Sequence, residues 1–154
     1  MRPADALALL EAIYRDKLAL RQRHVAAARR VSSYEFNNAY QYVINREDVH
    51  LAWLSEAIAA AGGTLASVPE PDIDGDAARV MAEDRELAGA FVAQWKDKIA
   101  ALGNARHQTM LKLMLGETLE QQRFFAQAAA GETDLLGRRE GRARGAVLPT
   151  RWVE

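Results

Sequence analysis

The chain has 154 residues, 49% of them apolar and 27% charged, and a formal net charge of −1. That length provides for one domain with a substantial core, and the balanced charge excludes a global field favouring nucleic acid or an acidic partner. Cysteine is absent, which excludes disulfides, iron–sulfur clusters and thiolate zinc sites, and no apolar run approaches the ~20 residues needed to span a bilayer. The N-terminal Met-Arg-Pro-Ala-Asp leads directly into an amphipathic pattern and lacks a signal-peptide core, so a cytoplasmic protein without a membrane segment is expected.

Four helices and a tail are predicted in chain order. The first runs from Pro3, suited to a first helical turn, to about Arg29. Ser32 and Ser33 offer an N-cap for the second, which continues to about Ala61 and stops at Gly62-Gly63. The segment from Thr64 to Gly75 carries Pro69 and Pro71 and is long enough to cross from one helical hairpin to the next. The third helix spans about Asp76 to Leu102. Gly103-Asn104 marks a turn, and the fourth helix spans Ala105 to about Ala130, closed by Gly131. A bundle over residues 1–131 and a separate tail over 132–154 follow.

Each helix carries an apolar stripe with acid near its middle. On the second, Phe36, Tyr40, Val43, Leu54 and Ile58 flank Glu47 and His50 at steps of three or four residues, so all project to one face. A buried carboxylate needs compensation, because leaving it unpaired costs several kcal/mol or forces it to neutralise. The first helix reads Leu7, Glu11, Tyr14, Leu18, Val25; the third Val80, Asp84, Leu87, Phe91, Trp95, Leu102, with Glu83 at its shoulder; the fourth Met110, Leu113, Glu117, Glu120, Phe124, Ala128. In a hairpin turning near Val31, Glu47 and His50 lie opposite Arg15 and Ala12, within a turn of Glu11 and Tyr14. In one turning near Gly103, Glu117 and Glu120 lie opposite Gly89 and Glu86, close to Asp84 and Glu83.

A Glu on the first helix, Glu-x-x-His on the second, a long crossover, an acid on the third and an acidic pair on the fourth resemble the ferritin-like superfamily. The resemblance covers residues 3–130 and implies an all-α, antiparallel four-helix bundle whose facing helices hold a carboxylate-bridged di-iron or di-manganese site. It implies Glu11, Glu47, His50, Asp84, Glu117 and Glu120 as metal ligands, with Glu83 and Glu86 as alternatives to Asp84. It also implies oxidoreductase or ferroxidase-type chemistry with oxygen or peroxide. The fourth helix departs from the members that carry a second Glu-x-x-His, having Glu117-Thr118-Leu119-Glu120 instead. Carboxylates with one imidazole suit hard or borderline ions, zinc included.

The competing expectation is a non-catalytic bundle, an interaction or structural protein, in which Glu47 and His50 pair with Arg15 or Arg46 and hold the helices in register. Tyr14, Tyr40 and Trp53 are expected as core, and His24 and His107, near helix ends, as capping or surface residues. The fourth helix is apolar nearly all round, from Met110 and Met114 onward, which predicts a central position or a homodimer contact. In the tail, Arg138, Arg139, Arg142 and Arg144 precede Leu148 and Trp152. This run reads as a flexible end or a docking peptide for a protein partner. Without interleaved aromatics it does not read as a nucleic-acid binder.

Overall fold

The computed structural model describes residues 1–133 and 135. Four helices account for most of them: α1 (Pro3–Ala28), α2 (Tyr34–Ala60), α3 (Ala77–Ala100) and α4 (Ala105–Ala129), and no strand occurs among the described residues. The starts follow the local chemistry. Pro3 opens α1, and Ser33, Asp76 and Asn104 cap the other three by accepting the backbone N–H groups of Phe36, Arg79 and His107. Behind α2 and α4, Gly62 and Gly131 adopt φ of 78° and 91°, the left-handed conformation that ends a helix with least strain on glycine. No helix among the described residues is long and apolar enough to cross a membrane.

Two core clusters fix the directions of the helices. One joins Leu10, Ile13 and Leu20 of α1 to Leu54 and Ile58 of α2, Phe91, Trp95 and Ile99 of α3, and Leu111, Met114 and Leu115 of α4. The other joins Ala27 and Ala28, Tyr40 and Val43, Val80 and Met81, and Phe124, Phe125 and Ala128. The start of α1 therefore lies level with the ends of α2 and α3 and with the start of α4. Helices α2 and α3 point one way, α1 and α4 the other. Each of the four packed pairs, α1 with α2, α3 with α4, α1 with α3 and α2 with α4, is antiparallel.

Because α2 and α3 are parallel, residues 61–76 must travel the length of the bundle. They do so along α1. The Thr64 N–H donates to Glu11 at 2.9 Å, Gln22 Nε2 to the Val68 carbonyl at 2.8 Å, Arg29 pairs with Glu70, and Arg30 donates to the Gly75 carbonyl at 3.0 Å. The donors and acceptors advance together along α1 and along the crossover, so this long connection is tied down at several levels.

The inward faces of α2 and α3 follow the sequence pattern except at Leu87, which is exposed. Those of α1 and α4 are rotated by about one residue from it. On α1 the enclosed positions are Leu10, Ile13, Lys17, Leu20, His24 and Ala27, while Leu7, Glu11, Tyr14, Leu18 and Val25 sit half-buried beside them. On α4 they are Leu111, Met114, Thr118, Gln121, Phe125 and Ala128; Leu113 is 57% exposed. The tail residues singled out above, Arg138, Arg139, Arg142, Arg144, Leu148 and Trp152, lie outside the described residues.

Candidate functional site

Between the two apolar clusters the bundle encloses a polar layer. Lys17, His24, Glu47, His50, Asp84, Thr118 and Gln121 are all buried, and Tyr40 joins them with its ring in the core. Every helix contributes: Lys17 and His24 from α1, Tyr40, Glu47 and His50 from α2, Asp84 from α3, and Thr118 and Gln121 from α4.

Glu47 stands at its centre. His24 Nδ1 lies 2.6 Å from Glu47 Oε1 and Lys17 Nζ 3.5 Å from Oε2. Both partners come from α1, seven residues or two turns apart, so they bracket the carboxylate from above and below. The Lys17 ammonium also donates to Thr118 Oγ1 at 3.1 Å, and the Thr118 hydroxyl in turn donates to the Met114 carbonyl at 2.8 Å. Its charge lies 5.2 Å from the centroid of the Phe91 ring, a favourable cation–π placement.

Asp84 terminates the same array on α3. Arg23 Nε donates to Asp84 Oδ1 at 2.6 Å, the Tyr40 hydroxyl donates to Oδ2, and His24 Nε2 lies 3.7 Å away. His24 thus stands between two carboxylates, packed against the rings of Tyr40 and Phe125 at 6.0 and 5.2 Å. A second group lies one turn along α2. His50 Nε2 is 3.3 Å from Glu117 Oε2, and Arg46 grips both Glu117 oxygens at 2.5 and 3.0 Å.

Burial and charge set the proton affinities. Burial raises that of Glu47, but His24 and Lys17 outweigh it and hold the carboxyl below its ordinary range. Burial disfavours the His24 imidazolium, yet Glu47 and Asp84 together raise its pKa. For Lys17 burial dominates and lowers the pKa against the pull of Glu47. His50 is lowered by burial and by the nearby Lys17 charge, with Glu117 compensating only in part. Burial pushes the Tyr40 hydroxyl far up, and Asp84 adds to it, so it stays a donor. Glu117 is opposed by burial but held down to about 2 by His50 and Arg46. With His50 neutral, Arg46 is the standing charge beside it.

The six residues read as ligands are thereby placed in four separate settings. Glu47 and Asp84 flank His24. His50 and Glu117 form the second group. Glu11 lies toward the other end of the bundle, holding the backbone of Thr64. Glu120 pairs with Arg123 at 2.8 Å near the surface, and the alternatives Glu83 and Glu86 pair with arginines at the exterior. Among the described residues no three His, Asp or Glu side chains group so as to hold an ion. The oxygens that would bridge two metals are instead met by an ammonium, an imidazole and two guanidinium groups, and this donor set does not fit a carboxylate-bridged metal pair.

Two expectations need correction. His24 is neither a cap nor a surface residue: the bundle continues past it, and its ring is fully enclosed by Glu47, Asp84 and two aromatic rings. Glu47 pairs with Lys17 and His24 rather than with Arg15 or Arg46, because Arg15 is exposed and Arg46 turns toward Glu117. Lys17, Thr118 and Gln121 carry much of the layer and stand out in the sequence only as polar interruptions of stripes that a one-residue rotation would reveal. His107, by contrast, lies in the first turn of α4, half-buried, as expected. Comparison with protein-family models, with curated proteins and with solved structures gives no match for this chain.

Proposed function

We propose that this chain is a non-catalytic helical bundle, an interaction or structural protein whose interior acids are balanced by its own cations. The observation that carries this reading is the Lys17 ammonium, wholly buried between Glu47 and Thr118. A buried lysine needs an anionic partner, and a buried glutamate needs a cationic one. Each supplies the other, with His24 completing the pair. Such a layer gives the four helices one register, since sliding any helix by a turn would strand a charge. Association with a second copy is part of this reading. Leu87 of α3 and Leu113 and Leu119 of α4 are the large apolar side chains exposed on those two helices, and sedimentation analysis should report a dimer.

The second reading is a ferritin-like di-iron or di-manganese protein with oxidoreductase or ferroxidase-type chemistry. The antiparallel bundle with its one long crossover supports it, as do the two His50 ring nitrogens, buried without a hydrogen-bond partner one turn from Glu47. Anaerobic loading with iron(II) or manganese(II), followed by elemental analysis and thermal unfolding, separates the two. The ion-balanced bundle retains far less than one equivalent per chain and unfolds at the same temperature with or without the ion. Near two equivalents, lost in Glu47→Gln, would establish the metal reading instead.

A further inference from the structure

Helices α2 and α4 meet less closely than α1 with α2 or α3 with α4, and a groove with a volume of about 620 Å³ lies between them. Tyr42, Val49, Leu113 and Phe124 make its apolar walls, and Leu113 is 57% exposed. At one end the Tyr42 and Phe124 rings meet edge to face at 5.9 Å. Both belong with the core cluster at the end of α4, Phe124 as a member and Tyr42 packed against it.

The chain leaves α4 at this same end. The Gly131 N–H donates to the Ala128 carbonyl and the Glu132 N–H to the Gln127 carbonyl, both at 3.0 Å, the paired bonds that turn a chain back at a helix end. Leu135 then packs into the cluster that holds Phe124 and is buried. Nineteen residues follow it, 136–154. They carry five arginines against two glutamates, a formal charge of +3; with −1 for the whole chain, the remainder holds −4. Opposite net charges draw such a segment toward the bundle. Its large apolar residues come late, with Val147, Leu148 and Trp152.

We propose that residues 147–153 of the same chain occupy the α2–α4 groove, with Trp152 as the aromatic anchor and Leu148 beside it. The lengths match: Leu148 and Trp152 lie up to ~14 Å apart in an extended chain, and Leu113 and Phe124 about 16 Å apart along α4. The residues between Leu135 and Val147 reach up to ~36 Å, well past the length of the groove. A tethered segment meets its site at an effective concentration of roughly millimolar, so a modest contact holds it. The hollow of Met1, Leu9 and Trp95 between α1 and α3 lies at the opposite end of the bundle from the exit of the tail. The proposal goes beyond the ion-balanced reading of the interior. Of the exposed leucines on α3 and α4 only Leu113 lines the groove, which leaves Leu87 and Leu119 for a second copy.

The chain has no cysteine, so Glu154→Cys in the otherwise intact chain takes a single nitroxide label. In ¹⁵N-labelled protein that label should selectively broaden the amide signals of residues 42–49 and 112–124 and spare those around Leu9 and Trp95. Trp152→Ala and, separately, Leu113→Lys should each abolish this broadening while the rest of the spectrum stays that of the folded bundle; Leu113 is exposed, so its replacement leaves the core intact. Nitroxide-labelled chains without ¹⁵N, mixed with unlabelled ¹⁵N chains, should broaden nothing at the groove. Broadening in that mixture would give the groove to a second copy and overturn the proposal. No selective broadening in the single chain, or broadening that survives Trp152→Ala, would overturn it as well and leave the tail to a separate partner.

Discussion

At the residue scale, the two buried histidines of the polar layer have opposite surroundings. His24 faces Glu47 and Asp84, whereas His50 is dominated by its burial and has one close carboxylate, Glu117, which Arg46 already grips. At pH 6.5, the ordinary midpoint, His24 should be mostly imidazolium and His50 mostly neutral. Imidazole ¹⁵N shifts read both states, and a common midpoint for the two rings would contradict the geometry. The same asymmetry shapes stability. His24, with its raised pKa, stabilises the fold fully below 6.5, and that contribution is lost as pH rises through its folded pKa; deprotonation of Lys17 at higher pH offsets part of the loss. His50 and Glu47 are lowered, so their contributions are lost as pH falls through their folded pKa values, and that of Glu117 is lost between about 4.5 and about 2. In urea titrations across pH, His50→Gln should therefore flatten the decline just below pH 6.5 and leave the steeper loss at lower pH in place. An unchanged profile would mean that burial does not hold His50 neutral.

At the scale of the elements, the assignment of Glu11 has a direct check. Glu11 holds the Thr64 N–H where the crossover leaves α2, beside Gly63, and a Cβ on Gly63 would come within 2.7 Å of Leu7 and 3.0 Å of Glu11. Glu11→Ala should cost about 1 kcal/mol, the scale of one hydrogen bond from a carboxylate to the backbone. It should leave the His24 and His50 titrations unmoved; a shift in either would place Glu11 in the polar layer after all. Gly116→Ala should add up to ~1 kcal/mol, because it removes a glycine from a helix interior at a position open to solvent. The helices themselves were legible from caps, glycines and spacing. Their inward faces were legible only where apolar residues dominate, as in α2. On α1 and α4 the true core positions include Lys17, His24, Thr118 and Gln121, and these polar residues weaken the very periodicity that would have marked them. The neighbouring stripes Leu7–Leu18 and Met110–Leu113 then read as stronger. Glu47, His50 and Asp84 were legible as buried, but their partners were not. Pairing depends on side chains two turns apart on another helix, which no spacing within one helix reveals.

At the scale of the whole molecule, the polar layer divides the core into two apolar clusters, one toward the start of α1 and one toward its end. Each cluster alone would tolerate a shift of register. The layer between them does not, because Lys17, Glu47, His24 and Asp84 from three helices must coincide. The central claim is therefore energetic: the Lys17 and Glu47 charges are balanced by each other. A double-mutant cycle with Lys17→Met and Glu47→Gln, measured by urea unfolding at neutral pH, tests it most directly. Each single change should cost about 3 kcal/mol or more by leaving a buried charge short of its partner. The double variant should recover about 2 kcal/mol of the summed loss. Costs that add to within ~0.5 kcal/mol would show that the two groups do not depend on each other, and that something other than Lys17 balances Glu47.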